Sequence, residues 1–259
     1  YFLWKREYRV VLWAGGIGLA LLLVSLAYVG VDVYRTYLTE TLPALTKGSS
    51  HYSNTALNAI VSRAATPDVV NGIPEMLNLD EVMSGTRERL LFLAIEAAGL
   101  VAIAGVVGRN RSPGTTADRG ARTDRLFLEY YFVVAVALLI SSSSWDFYTI
   151  WLLPVFLAVL LAPGRFLPSG VWRWLLLGAF AVAFVGLNYP GDLYLFEPNG
   201  FFYHPDWVPG KWVEDRVLLY HRHLDAVILL RLPALLLTTA LLGGLILWRR
   251  RREADDAAS

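Results

Sequence analysis

An all-α integral membrane bundle of about six transmembrane helices, with short surface helices outside the bilayer, is the fold class this sequence predicts. Three observations predict it. The chain is 56% hydrophobic with a mean hydropathy of +0.46, too apolar for an ordinary soluble domain. Its apolar residues run in long blocks bracketed by charge, which favours membrane spans over a large soluble core. Its basic residues fall at alternate ends of those blocks, so all reach one side if the spans alternate. Residues 1–259 read as a single polytopic membrane domain.

Taken in order, the first span, Val10 to Val31, lies between Arg9 and Asp32 with no charge inside. A polar outer loop, residues 32–89, comes next. In it Ser53 or Asn54 offers a cap to a helix carrying Leu57, Ile60, Val61 and Ala64 on one face. Gly72 and Pro74 restart the chain before a second short helix. Both helices are expected to lie along the membrane surface. The second span, Leu90 to Gly108, holds Glu96, which either faces the cavity or, as the favoured reading, pairs with another helix. A linker with Arg109, Arg111, Arg119, Arg122 and Arg125 leads to the third span, Leu126 to Ser141. Glu129, one turn from Arg125, is expected to pair with it. The fourth span, Thr149 to Ala162, is short and contains Pro154; Pro163-Gly164-Arg165 then turns the chain. The fifth is Trp174 to Leu187, and an aromatic, turn-rich outer loop occupies residues 188–225. The last span, Leu232 to Trp248, is expected to stop at Arg249–Arg252.

Lys5, Arg6 and Arg9, the linker arginines, Arg165 and Arg173, and the final arginine run mark the cytoplasmic side of a multi-pass plasma-membrane protein. Both long loops and the Ser141–Tyr148 turn then share the extracytoplasmic face, the expected working surface. A net charge of +1 gives no case for nucleic acid as a partner, and the absence of cysteine excludes disulfides and thiolate metal sites. His221, His223 and Asp225 resemble a metal cluster only loosely, and their spacing does not converge three ligands. No metal and no cofactor are expected. Nine Trp and thirteen Tyr suit interfacial belts or sugar-stacking surfaces.

The stretch SSSSWDFYTIWLLP, Ser141–Pro154, stands out because Asp146 lies between two apolar runs. An ionisable group placed there is a functional-site hypothesis by default. A wet turn between helices, with Trp145 and Tyr148 as interfacial anchors, accounts for the same residues equally well.

Two segments carry a resemblance. SNTALNAIVSR, Ser53–Arg63, resembles the Asn-Gln-Ser-Leu-Asn-type segment of glycosyltransferase family 87, one of the C-type (GT-C) membrane glycosyltransferases. LEYYFVVAVALLISSSSWDFYTIWLLP, Leu128–Pro154, is similar to that family's Leu-Glu-Tyr start and its Ser-Pro-x-Ser-Trp-x-His-His-x-x-Trp-Leu-Leu-Pro stretch. The resemblance implies an inverting enzyme that moves a sugar, often mannose, from a polyprenyl-phosphate donor to a lipid or glycan acceptor on the outer face. It also implies that this chain is the C-terminal portion of a longer enzyme, whose usual base, an acidic residue of the first outer loop, lies upstream. Where the family has paired His, this chain has Phe147 and Tyr148; Thr55 and Ala56 replace its Gln and Ser, and the Pro after the first Ser is lost.

On that resemblance Asp146 reads as a base or orienting acceptor, its pKa raised by partial burial. Tyr148 reads as a phenol donor to phosphate. The opposing reading of Asp146 is plain capping of the fourth span. Asn54 and Asn58 bind donor or acceptor, or cap a surface helix. Arg87 and Arg89 pair with the donor phosphate, or anchor the second span. Ser144 and Trp145 bound a donor pocket, hydroxyl to phosphate and indole against sugar or lipid, or belong to the aromatic belt. A different class, a transporter or flippase of a lipid-linked precursor, predicts repeated halves and discontinuous helices at the midplane. No repeat is visible. A non-catalytic membrane protein of the same fold stays open because the His pair is missing.

Overall fold

The computed structural model describes residues 1–43, 56–57, 86–108, 119–141, 146–188 and 230–258. Among the described residues every regular element is helical. Helix α1 spans Tyr8–Val29, and α2, Val31–Thr36, runs on through a π turn at Tyr37–Thr41. Helix α3 is Thr86–Val107 and α4 is Arg119–Ile140. A 3-10 turn, Asp146–Leu152, leads into α5, Leu153–Leu161, and a short α6, Pro163–Phe166. Helices α7, Val171–Leu187, and α8, Leu232–Ala258, complete the set.

Each of the six expected apolar segments is thus a helix, with shifted bounds that have local causes. Gly30, at φ +89°, ends α1 two residues before the expected Val31. Pro154 and Pro163 stand in first turns, where a missing N–H costs nothing. Helix α8 runs through the arginine run instead of stopping at Trp248, because arginine is a good helix former.

Among the described residues three helices are long and apolar enough to cross a membrane, Tyr8–Val29, Leu90–Val107 and Leu232–Asp255, and two shorter apolar ones are Tyr148–Leu161 and Val171–Leu187. The third expected span falls outside both groups. Helix α4 opens on Arg119, Arg122, Asp124 and Arg125, and Glu129 interrupts the apolar run beyond them. It is nevertheless the central helix. Leu128, Phe132, Ala135, Val136 and Leu139 are buried, spaced to form one face. Val155, Phe156 and Val159 of α5, Phe180 and Ala183 of α7, and Leu235, Leu242 and Ile246 of α8 join that core. Phe156 meets Phe180 edge to face, centroids 6.1 Å apart. Helix α1, by contrast, buries none of its residues.

Small residues set the close crossings. A Cβ on Gly99 of α3 would stand 2.6 Å from Ile140 Cγ2, and one on Gly186 of α7 would stand 2.8 Å from the Ala234 Cβ of α8.

Candidate functional site

The described helices put two kinds of chemistry at opposite ends. One end gathers the base of α1, the end of α3, the start of α4, the α5–α6 turn and the arginine run of α8. Lys5 Nζ lies 2.7 Å from Glu129 Oε2, and Arg250 Nη2 lies 3.3 Å from Glu129 Oε1. Tyr1 Oη donates to Glu129 Oε2 at 3.1 Å. Lys5 also donates to the carbonyls of Val107, at 2.9 Å, and Gly108, at 3.0 Å. Glu129 is fully buried and Lys5 nearly so. Arg125, the partner expected for Glu129, places Nη1 2.7 Å from Glu253 instead. The reason is that Glu129 faces inward, where cations from the base of α1 and from α8 reach it. Burial, and the Glu129 carboxylate beside it, push the Tyr1 phenol well above its ordinary value, so the hydroxyl keeps its proton. Burial lowers the Lys5 ammonium, opposed by Glu129. At the edge of this end Arg165 Nε donates to Asp124 Oδ1 at 2.8 Å, which raises the guanidinium further.

The opposite end carries those resemblance-derived residues that the structure describes, Arg87, Arg89, Asp146 and Tyr148. Arg87 and Arg89 stand in the first turn of α3, which brings both to this end of the bundle. Asp146 is the first residue of the 3-10 turn that comes after α4. The N-cap position of α5 is Leu152, six residues beyond Asp146. Tyr148 is half-buried against the core and stacks on Trp151, centroids 5.0 Å apart and planes at 19°. Asn54, Asn58, Ser144 and Trp145 lie outside the described residues, as do His221, His223, Asp225 and nearly all of the second outer loop. Between the two asparagines, Ala56 is buried and Leu57 packs on the core, so the middle of that motif docks onto the bundle. Glu96, expected to pair, is half-buried in α3 with no ion-pair partner among the described residues.

Two residues here went unread in the sequence. Trp151 is 57% exposed while stacked on Tyr148, which makes a flat aromatic surface at this end. Its place three residues after Tyr148 is the signal that pairs them. Arg231 precedes α8 and is 4% exposed. In the sequence it reads only as a span boundary. A buried guanidinium beside the carboxyl end of α7 brings fixed positive charge to the same end of the bundle as Asp146 and Tyr148. Among the described residues no group of His, Asp or Glu is placed to hold a metal ion.

The family model of glycosyltransferase family 87 matches residues 1–142, more than half of the chain. The matched stretch holds Asn54, Asn58, Arg87, Arg89 and Glu129, and ends just before Ser144, Trp145, Asp146 and Tyr148. No curated protein and no solved structure matches the chain.

Proposed function

We propose that this chain, which belongs to glycosyltransferase family 87, moves a sugar from a polyprenyl-phosphate donor to a lipid or glycan acceptor. Mannose is the sugar the family resemblance favours. The reaction takes place at the end of the bundle away from the arginine run, on the extracytoplasmic face of the plasma membrane. Membership makes the chain a membrane glycosyltransferase; donor, acceptor and residue roles are our reading. The observation that carries this reading is the gathering of most of the described basic side chains at one end of the bundle. Lys5, Arg122, Arg125, Arg165, Arg249 and Arg250 gather at one end, and Asp146, Tyr148, Trp151 and Arg231 stand at the other. A positive end faces the cytoplasm, which turns the other towards a lipid-borne donor.

In this mechanism the acceptor hydroxyl attacks the anomeric carbon from the face opposite the phosphate. Asp146 takes the hydroxyl proton as general base. The bond from the anomeric carbon to the phosphate oxygen breaks, and polyprenyl phosphate leaves with the electron pair. Arg87, Arg89 and Arg231 offset its negative charge, and Tyr148 and Ser144 donate hydrogen bonds to it. Trp145 and Trp151 offer aromatic faces to the sugar, and Asn54 and Asn58 orient its hydroxyls.

Asp146→Asn in the full-length protein tests the assignment. Removing a general base is expected to cost roughly 100-fold or more in turnover, with the thermal midpoint unchanged. Near-normal turnover with normal expression would sink the assignment of Asp146 as base. Tyr148→Phe keeps the ring on Trp151 and loses only the hydroxyl, so a rate loss in that variant tracks hydrogen bonding to the leaving group.

A further inference from the structure

Helices α7 and α8 touch closely at one end and part at the other. Gly186, near the end of α7, lies against Ala234 and the Leu230 carbonyl at the start of α8. Towards the arginine-rich end the two helices enclose a cleft of about 390 Å³. Trp172, Leu176, Ala240, Gly244, Leu245 and Trp248 line it, so its walls are almost wholly apolar. From Ala240 to Trp248 it runs about 12 Å along the α8 axis at 1.5 Å per residue. Its mouth lies at the level of the arginine run, and its depth reaches towards the middle of the bundle.

Two guanidinium groups border that mouth. Arg252 sits over the Trp248 ring, 6.0 Å from its centroid. Arg173 Nε donates to the carbonyl of Pro168, a residue that also lines the cleft, at 3.2 Å. Among the described residues neither arginine has an ion-pair partner, whereas Arg122, Arg125, Arg165 and Arg250 all do. An apolar slot whose mouth carries two unneutralised cations and two indoles matches the chemistry of an amphiphile with an anionic head and a hydrocarbon tail. Indoles settle at the headgroup level, and cations at a span's end attract the anionic lipids of the cytoplasmic leaflet.

We propose that this cleft binds an anionic phospholipid of that leaflet, one acyl chain between α7 and α8 and the phosphate between Arg173 and Arg252. The site is remote from Asp146 and takes no part in sugar transfer. The bound lipid fills the wedge between the two helices and holds their separation at this end.

Native mass spectrometry of the full-length protein, offered equal amounts of phosphatidylglycerol and phosphatidylcholine with matched acyl chains, tests the proposal. The anionic lipid is expected to be retained preferentially, and Arg173→Gln with Arg252→Gln to remove that preference by roughly fivefold per arginine. Gly244→Leu fills the cleft where an added Cβ meets nothing within 4 Å, so it is expected to reduce retention of both lipids while the thermal midpoint holds. Equal retention of the two lipids, or a preference unchanged by the double arginine substitution, overturns the headgroup assignment. Retention unaffected by Gly244→Leu overturns the cleft. Retention of polyprenyl phosphate, added as a third competitor in equal amount, in place of phosphatidylglycerol overturns the choice of occupant.

Discussion

At the Glu129 carboxylate three parts of the chain meet that lie far apart in sequence: Tyr1 and Lys5, α4 itself, and Arg250. Breaking a buried ion pair by removing one partner is far costlier than its net contribution suggests, because a charge is left behind in a poor solvent. Glu129→Ala leaves the nearly buried Lys5 ammonium without its carboxylate. We expect a loss of about 3–5 kcal/mol, read as a lowered unfolding midpoint in detergent. A midpoint within error of the parent protein would refute the pairing. That Glu129 needs a partner was legible in the sequence, since a charge inside an apolar block is costly when left alone. Which partner was not readable. Spacing on one helix pointed to Arg125, and the true cations come from the turn before α1 and from α8, whose placement only tertiary packing decides. The same limit applies to Arg231, whose type and position were plain and whose burial was not.

Among the helices, glycine positions separate contact from free surface. A Cβ added to Gly186 would meet Ala234 Cβ at 2.8 Å and the Leu230 carbonyl at 3.3 Å, and backbone cannot move aside as a flexible side chain can. Gly186→Val is therefore expected to destabilise by about 1–3 kcal/mol, the usual cost of overpacking. Gly16 of α1 has nothing within 4 Å. Gly16→Ala is expected to be neutral, or to gain up to about 1 kcal/mol of helix propensity. Thermal unfolding of the two variants side by side checks both, and equal shifts would mean that α7 and α8 do not cross there. The positions of the helices were readable because bilayer thickness and bracketing charge define them independently of neighbours. The 3-10 turn at Asp146–Leu152 was not, since Thr149 and Ile150 fit an α-helical start just as well. Consequently Asp146 reads in the sequence as the cap of a helix that in the fold begins only at Leu153.

For the whole molecule, sidedness is the property to test. The chain has no cysteine, so single substitutions report cleanly. Ser50→Cys and Asn199→Cys are expected to react with an impermeant thiol reagent from outside the cell, and Arg251→Cys only after the membrane is opened. Labelling of the first two from the cytoplasm alone would invert the orientation. Charge bias is what predicts this orientation, and the structure brings Lys5, Arg122, Arg125, Arg165, Arg249 and Arg250 to one end. Motif order exposed the family, but the site's internal geometry depends on how the outer segments lie against the bundle. Residue type does not specify that. The Glu129 cluster also bears on the order in which a ribosome makes the chain. Lys5 is made before Glu129, and Arg250 after both. A newly inserted α4 therefore has one of its cations at hand when it is made and acquires the second only when α8 follows. Until then its carboxylate is incompletely neutralised. The cluster thereby marks a bundle to which α8 has been added.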